Sequence, residues 1–437
     1  MKQRLGILIM IVLFLTSLIS CGNNDEPFSK ETKTTHSTAG SSTRNTTQGE
    51  TTDITDTTDS SSDTSSPLSE ATTSKGLTTI KPTTTIPKTE PSPDGKFEIQ
   101  LRQYHPGLPE YDAEYTFVVK NDGVLVHISG ITLKTNDSRV RIKNGKVTVP
   151  YSLRKEGKDV VVTATFKSTG QSSKITIPSK KWEQTFNDDF NGNDLDHTKW
   201  SVFEPELTYG DSPAYCARDC YEVSNGSLKL LGEKRETVMN GKTYQYTDGA
   251  ISTENKFNQS LGCFVAAMRY EPWSGICGGF WLLPVFSGQR QSVFFDSARS
   301  DLGCGEVDII EWSKHFGKNY HITEHFWNYN TQAHTRTNHI LAAPTTARMD
   351  DGKYHAIGVV LTKENSYYYC DGELMGVFDH SYNTTTASGS KKNPVRSFML
   401  FSYRFGADND SNWVGRWNFK DSDFPLKYEV DWCRAYK

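Results

Sequence analysis

Three acidic residues lie close together in an otherwise apolar stretch of the chain, residues 305–312. Glu306, Asp308 and Glu311 are separated there by valine and isoleucine, which favour a β-strand. In a regular strand Glu306 and Asp308 share one face, and Glu311 points to the other. A β-bulge between Asp308 and Glu311 adds one residue and brings all three carboxylates to the same face.

Carboxylates that share a face repel one another, so at least one of them is expected to keep its proton near neutral pH. One ionised and one protonated carboxyl, about 5–5.5 Å apart, can cleave a glycosidic bond with retention of configuration. An exposed acidic strand edge and a Ca²⁺ site are the alternatives. The intervening apolar residues argue against the exposed edge, and a Ca²⁺ loop is richer in Gly, Asn and Asp.

The spacing Glu306-x-Asp308-x-x-Glu311 resembles the E-x-D-x-x-E signature of glycoside hydrolase family 16, in its bulged, laminarinase-like form. The resemblance implies that Glu306 is the nucleophile and Glu311 the acid/base. It also implies that Asp308 forms a hydrogen bond to the nucleophile and tunes it. This chemistry requires no cofactor. Asp431 is a single carboxylate, so the sequence does not establish the structural Ca²⁺ of some family members.

The resemblance extends over residues 182–437. The segments 188–200 and 428–436 resemble the first and last parts of family 16 domains. The region between them contains short alternating strands separated by Gly, Asn and Asp, which predict a β-sandwich. The family implies a concanavalin-like β-jelly-roll of two sheets, with a concave face that binds glycan.

Three further side chains are candidates for this cleft. In the stretch 278–284, Phe280 and Leu282 share one face and Trp281 takes the other, where its ring can stack on a sugar. After the acidic strand, His325 and Trp327 share a face; in the family this strand supplies a histidine and an aromatic residue. A core tryptophan and a buried histidine bonded to backbone are the structural alternatives.

Residues 1–21 have the features of a targeting signal, with basic Lys2 and Arg4 before an apolar stretch at 5–15. The sequence Leu-Ile-Ser-Cys ending at Cys21 resembles a bacterial lipobox. It implies that Cys21 is diacylated and anchors the protein to a membrane, outside the cytoplasm. An ordinary secretory signal with a chance cysteine is the alternative. The choice between inner and outer membrane stays open.

Two regions separate this signal from residues 182–437, the domain that contains the three acidic residues. Residues 22–95 are rich in Ser and Thr, which predicts a disordered linker. Residues 96–181 contain six or seven short strand-like runs divided by turn signals, which predict an immunoglobulin-like β-sandwich. It has no acidic cluster and few aromatic residues, so we expect a spacer, with a carbohydrate-binding module as the alternative.

The amino-acid composition limits the kinds of binding partner that the protein is expected to have. The net charge is −4, which gives no argument for nucleic-acid binding. Seven of the eight cysteines lie between Cys216 and Cys433, without zinc-ligand spacing, and a Cys216–Cys220 disulfide stays open. We expect a monomer whose partners are a polysaccharide and, through Cys21, a membrane.

These observations predict a retaining, endo-acting hydrolase of β-linked polysaccharide. The bulged motif favours β-1,3-glucan or mixed β-1,3/1,4-glucan. Galactans such as agar and carrageenan, and O-glycans, are alternatives within the same chemistry. Transglycosylation needs the same acids, whereas a non-catalytic glycan receptor has no use for both Glu306 and Glu311.

Overall fold

The computed structural model describes residues 94–202, 212–285, 306–327, 334–380 and 396–437. In these ranges almost all regular structure is β-strand. The exceptions are a short α-helix, Tyr151–Lys155, and single 3₁₀ turns at Ile128–Gly130, Lys314–Phe316 and Asp421–Asp423. None of the helices in these ranges has the length and apolar character needed to cross a bilayer.

The N-terminal part of the described chain, residues 94–181, is a sandwich of two small antiparallel sheets. β1, β2, β6 and β5 form one sheet in that order, with β3 beside β2, and β4, β7 and β8 form the other. Side chains along β2 and β7 alternate between buried and more exposed, which is typical of strands with one face on a core. The strands are β1 (Phe97–Leu101), β2 (Ala113–Asn121), β3 (Val124–Leu125), β4 (Ile131–Thr135), β5 (Arg141–Lys143), β6 (Lys146–Val149), β7 (Val160–Phe166) and β8 (Ser172–Ile177).

Of the remaining strands in the described ranges, all but β14 and β15 form one large sheet that folds over into two layers, and β14 and β15 pair as a separate two-stranded sheet. The first layer has the order β21-β20-β19-β18-β25-β16, and the second has the order β13-β26-β17-β22-β23-β24. β16 pairs with both β25 and β13, and so joins the layers. The strands are β9 (Gln184–Asp188), β10 (Ser201–Val202), β11 (Ala214–Cys216), β12 (Tyr221–Ser224), β13 (Ser227–Glu233), β14 (Thr237–Met239), β15 (Lys242–Tyr244), β16 (Tyr246–Ser252), β17 (Gly262–Tyr270), β18 (Ile276–Val285), β19 (Val307–Trp312), β20 (Tyr320–Trp327), β21 (His334–Ala342), β22 (His355–Leu361), β23 (Asn365–Cys370), β24 (Glu373–Asp379), β25 (Arg396–Phe405) and β26 (Leu426–Tyr436).

The core of the large unit lies between its two layers. Phe280 of β18 and Phe401 of β25 are fully buried and stack with ring centroids 4.6 Å apart. Phe264 and Tyr368 belong to the same apolar cluster from the opposite layer. The all-β sandwich expected from the sequence is therefore confirmed, and it leaves the outer face of β18, β19 and β20 for polar side chains.

The small sandwich is docked on the large unit rather than merely linked to it. Leu108, in the loop between β1 and β2, is fully buried in an apolar cluster with Cys263, Val265 and Tyr369 of the large unit. The backbone N–H of Gly107 donates a hydrogen bond to the Tyr369 hydroxyl at 3.1 Å. Because Leu108 is buried among side chains of the large unit, the contact orders the two units relative to each other.

Polar contacts surround this buried leucine. The guanidinium of Arg154, which is 2% exposed, donates hydrogen bonds to the carbonyls of Pro106, Leu108 and Tyr111 at 2.7–3.2 Å. Glu110 accepts hydrogen bonds from Arg434 at 2.7 Å and from the Tyr436 hydroxyl at 2.8 Å. Arg154 thus shapes the loop from within, and Glu110 ties the loop to β26.

The cysteines of the described ranges carry free thiols, and this includes Cys216 and Cys220. Both side chains are fully buried. Burial raises the pKa of the Cys216 thiol to about 12, so this group stays protonated at physiological pH.

Candidate active site

The site is built on β19, where one extra residue changes which side chains face the core. Ile309 and Ile310 are consecutive, yet both are fully buried, as are Val307 and Trp312 to within 4%. The four residues of β19 from Asp308 to Glu311 are matched by only three residues of β20, from His321 to Thr323. Because the extra isoleucine turns inward, Glu306, Asp308 and Glu311 all lie on the outer face.

The neighbouring strands place polar side chains beside these acids. Asp308 pairs with Trp281 on β18 and with Thr323 on β20. Glu311 pairs with Gly279 on one side and with His321 on the other. Residues that pair in antiparallel strands point to the same face, so these side chains surround the acids on what we call the cleft face.

Burial and mutual repulsion make the three carboxyls hold protons unusually tightly. Burial, followed by the nearby charge of Glu311, raises the pKa of Glu306. Burial and then the charges of Glu306 and Glu311 raise the pKa of Asp308 well above its usual range. Burial raises the pKa of Glu311 to about 7, although a hydrogen bond from Thr323 opposes the rise. The cluster therefore keeps at least one proton near neutral pH.

A hydrogen bond between Asp308 and Glu306 decides where one proton goes. This bond lowers the pKa of Glu306 and raises that of Asp308. A protonated Asp308 that donates to an ionised Glu306 satisfies both directions. Asp308 is 2% exposed, and its Oδ2 lies 3.4 Å from Nε2 of His325. The hydrogen bond thus favours an ionised Glu306 beside a protonated Asp308, against the burial that raises the pKa of Glu306 to about 8.

His325 is held against this pair by its own strand. Its backbone N–H donates a hydrogen bond to the carbonyl of Glu306 at 3.0 Å. On the ring, Nδ1 lies 3.4 Å from the Thr337 hydroxyl, which leaves Nε2 directed at Asp308. The structure therefore brings the sequence candidate His325 together with Glu306 and Asp308.

Trp281 lies on the cleft face next to Asp308, between two buried neighbours, Phe280 and Leu282. Its indole N–H donates a hydrogen bond to the hydroxyl of Ser402 on β25 at 3.1 Å. The ring is partly exposed. This hydrogen bond fixes the orientation of the ring while leaving part of it accessible from the cleft.

Two other predicted residues are not placed by the structure. The backbone of β20 continues to Trp327, but the side chain of Trp327 lies outside the described residues. Cys21 also lies outside them. Their predicted roles, in sugar stacking and in lipid attachment, remain predictions.

An aromatic cluster beside Glu311 was missed by sequence reasoning. His321 contacts His339 through its ring nitrogen and packs on Phe316, with centroids 4.3 Å apart. Trp413 stacks on Phe316 at 5.5 Å and is 42% exposed. Alternation along β20 places His321 on the same face as His325, which was the available signal. Trp413 is 92 positions away, and no local pattern connects it to this face.

Glu324 is another residue whose importance was not predicted from the sequence. It lies on β20 between Thr323 and His325 but points into the core, where it is fully buried. The sequence alone does not show which face of β20 is the core face. A glutamate in this strand therefore looks like an ordinary exposed residue until its neighbours in the fold are known.

The donor atoms of Glu306, Asp308 and His325 lie within 4.8 Å of one another, a spacing that a metal ion can bridge. In the described part of the chain this is the one cluster of three such donors. It coincides with the two carboxyls that share a proton, so an ion bound here would compete with that proton.

No family model matches the chain. Three curated relatives do. A glucan endo-1,3-beta-glucosidase A1 from Niallia circulans is 25% identical over 272 residues, which are 57% of this chain and 37% of the relative. Endo-1,3-1,4-beta-glycanase EglC from Rhizobium meliloti is 24% identical, over 43% of this chain and 40% of its own. Beta-porphyranase B from Phocaeicola plebeius is 22% identical, over 59% of this chain and 85% of its own.

The chain therefore spans about two fifths of the length of the first two relatives. Among solved structures, the endo-beta-1,3-glucanase from Pyrococcus furiosus is similar, with 22% sequence identity and a TM-score of 0.48. The match covers 59% of this chain and 95% of the solved one.

Proposed function

We propose that this protein is a retaining, endo-acting glycoside hydrolase of family 16 that cleaves β-linked polysaccharide. The observation that carries the proposal is the extra residue in β19, which gathers Glu306, Asp308 and Glu311 on one face. The three curated relatives are named as hydrolases of β-glycans, which supports the same chemistry.

In the proposed mechanism the ionised Glu306 attacks the anomeric carbon, and a covalent glycosyl–enzyme forms. Glu311 gives its proton to the departing glycosidic oxygen and then removes a proton from the incoming water. Asp308 donates its hydrogen bond to Glu306 and keeps that carboxylate oriented. No step needs a cofactor.

The first test uses the full chain against laminarin, mixed-linkage β-glucan, agarose, porphyran, carrageenan and mucin O-glycans. We expect oligosaccharides from a β-1,3-linked or mixed-linkage glucan, and ¹H NMR should show that the first product has the β configuration. Galactans belong in the panel because one relative is named a β-porphyranase and the alignment covers most of its length.

Glu306→Gln should lower kcat by at least 10⁴-fold, because an amide cannot act as the nucleophile. Glu311→Gln should lose polysaccharide hydrolysis but keep activity on aryl β-glycosides, whose acidic leaving groups need no proton. The matched control is Glu364→Gln, at an exposed carboxyl remote from β19, and it should behave as wild type. Hydrolysis that is unchanged in Glu306→Gln would refute the mechanism.

We also propose that the protein is a surface lipoprotein, anchored through a diacylated Cys21, with residues 22–95 as a tether. The support is the sequence pattern of residues 1–21. Mass spectrometry of the mature N-terminus should find a lipid-modified cysteine, and Cys21→Ser should release the protein from the membrane fraction. An unmodified N-terminus downstream of Cys21 would contradict this part of the proposal.

A further inference from the structure

Glu324 is a carboxyl buried directly behind the acidic cluster. It pairs with Val307, the residue before Asp308, and its side chain is on the core face of β20. Asp308 itself pairs with Thr323, so Glu324 is a diagonal neighbour of Asp308 across two adjacent strands. The two side chains are on opposite faces of the sheet, so the polypeptide backbone separates them.

Hydrogen-bond donors from two other strands converge on Glu324. The hydroxyls of Ser366 and Tyr368, both on β23, donate to Oε1 at 2.6 and 2.8 Å. The side-chain amide of Asn338, on β21, donates to Oε2 at 3.2 Å. Three hydrogen bonds donated to its two oxygens favour the ionised form of Glu324, because that form has the greater capacity to accept.

The resulting charge acts on one member of the cluster. The negative charge of Glu324 is among the causes that raise the pKa of Asp308, after burial and the charges of Glu306 and Glu311. It is not among the causes that act on Glu306 or Glu311. Glu324 pairs with Val307, so Glu306 and Asp308 are both its diagonal neighbours. Asp308 has the shorter side chain and is 2% exposed, which holds its carboxyl closer to the backbone of the sheet and so closer to Glu324.

We propose that Glu324 is a positioning residue, a fixed negative charge on the core side of β20 that keeps the proton of the cluster on Asp308. The inference rests on the proposed function, since it explains why Glu306 is the ionised nucleophile. The proton that Asp308 and Glu306 share moves toward the more basic of the two. A negative charge behind Asp308 makes Asp308 that group, and Glu306 is left ionised and hydrogen bonded.

The same contacts also fix β20 mechanically. Ser366 and Tyr368 belong to the opposite layer, so Glu324 connects the two layers next to His325. A purely mechanical role would depend on the shape and hydrogen bonds of the side chain. The proposed role depends on its charge, and Glu324→Gln removes the charge while it keeps the shape and an acceptor oxygen for Ser366 and Tyr368; the Asn338 amide, which has both a donor and an acceptor, can turn its oxygen to the new NH2 group.

The test follows the protonation of Asp308 without substrate, in the full chain carrying Glu311→Gln. Aspartate labelled with ¹³C at the carboxyl carbon reports the titration by NMR, and Asp308→Asn identifies the signal. We expect the midpoint for Asp308 to fall by about half to one pH unit when Glu324→Gln is added, a three- to tenfold change in proton affinity. A midpoint that does not move would overturn the proposal.

A matched control keeps the result specific. Glu429→Gln also removes a carboxyl that is about 9% exposed, but on β26, where its partner is Arg269. It should leave the Asp308 midpoint unchanged. If Glu324→Gln fails to fold, Tyr368→Phe removes one donor and no charge, which makes Glu324 easier to protonate. It should move the midpoint in the same direction, and an unmoved midpoint would again overturn the proposal.

Hydrolysis separates this inference from the proposed function. With Glu311 restored, Glu324→Gln should reduce kcat three- to tenfold on the polysaccharide that wild type cleaves. Wild-type hydrolysis together with an unmoved midpoint refutes the inference alone. A shifted midpoint without hydrolysis of any glycan supports the electrostatic role of Glu324 and counts against the proposed function.

Discussion

Glu306 and Glu311 have the same side chain, but their hydrogen-bond partners differ. Glu306 shares a hydrogen bond with Asp308, which lowers its pKa relative to burial alone. Glu311 has no acid bonded to it in this way; its Oε2 lies 3.5 Å from the hydroxyl of Thr323. The proposed mechanism requires this difference, because it assigns attack to one carboxyl and proton delivery to the other.

Thr323→Val tests the proton donor. In the proposed mechanism Glu311 must be protonated to act as the acid, so activity should be lost as the pH rises through its pKa, which is about 7. The hydrogen bond from Thr323 favours the ionised form and lowers that pKa. Removing it should move the alkaline limb of the kcat/KM profile upward by about half a pH unit, because a long hydrogen bond contributes under about 1 kcal/mol.

Thr337→Val is the matched control, since Thr337 is on the same face but contacts His325 rather than Glu311. The alkaline limb of the kcat/KM profile of Thr337→Val should coincide with that of wild type. A downward shift in Thr323→Val would mean that the threonine hydroxyl stabilises the protonated acid instead.

Among the elements, β18 contains two adjacent glycines, Gly278 and Gly279, which face opposite sides of the sheet and have different amounts of room for a side chain. Gly278 faces the core, and an added Cβ there would lie 2.5 Å from Cε1 of Tyr270. Tyr270 stacks on Tyr428 at 5.0 Å, so its ring cannot move away. Gly279 faces the cleft opposite Glu311, and its added Cβ would come no closer than 3.3 Å, to the hydroxyl of Ser402.

Gly278→Ala and Gly279→Ala should therefore fail in different assays. Gly278→Ala should lower the free energy of unfolding by about 1–3 kcal/mol, the usual cost of overpacking a core. Gly279→Ala should keep a Tm within a few degrees of wild type but reduce kcat/KM, because the methyl group crowds Glu311. Calorimetry and polysaccharide hydrolysis distinguish the two, and equal Tm values would contradict the assignment of faces.

The sequence predicts β19 well because the type of each residue is a local property. Valine, isoleucine and three acids indicate a strand, and the need to gather the acids indicates the bulge. Glu324 and the cluster at Trp413 could not be predicted in this way. Their significance depends on Ser366, Tyr368 and Phe316, which are distant in sequence and become neighbours only when the layers close.

At the scale of the whole molecule, the contact made by Leu108 could not be predicted from the sequence either. Its partners lie on β17, β22, β23 and β26, and none of them carries a sequence signal for docking. Strand patterns predicted the small sandwich as a separate unit and a spacer. Its position against the large unit depends on apolar residues that either unit alone would leave at its surface.

Leu108→Ala should destabilise the chain by about 2–5 kcal/mol, because it leaves a cavity among the buried side chains of the large unit. Differential scanning calorimetry should show the small sandwich unfolding at a lower temperature than in wild type. Val124→Ala, at a position 57% exposed in the same small sandwich, should change little. An unchanged thermogram for Leu108→Ala would show that the docking contact contributes nothing to stability.

The contact between Glu110 and the end of β26 has a mechanical consequence. β26 lies between β13 and β17, and near its end it also pairs with β9. A pull on the small sandwich reaches the large unit by two routes, through the peptide chain into β9 and through Glu110 into Arg434 and Tyr436. The contacts of Glu110 apply part of the force to β26, which is an interior strand. The force on β9 is therefore smaller than it would be if the peptide chain were the only connection.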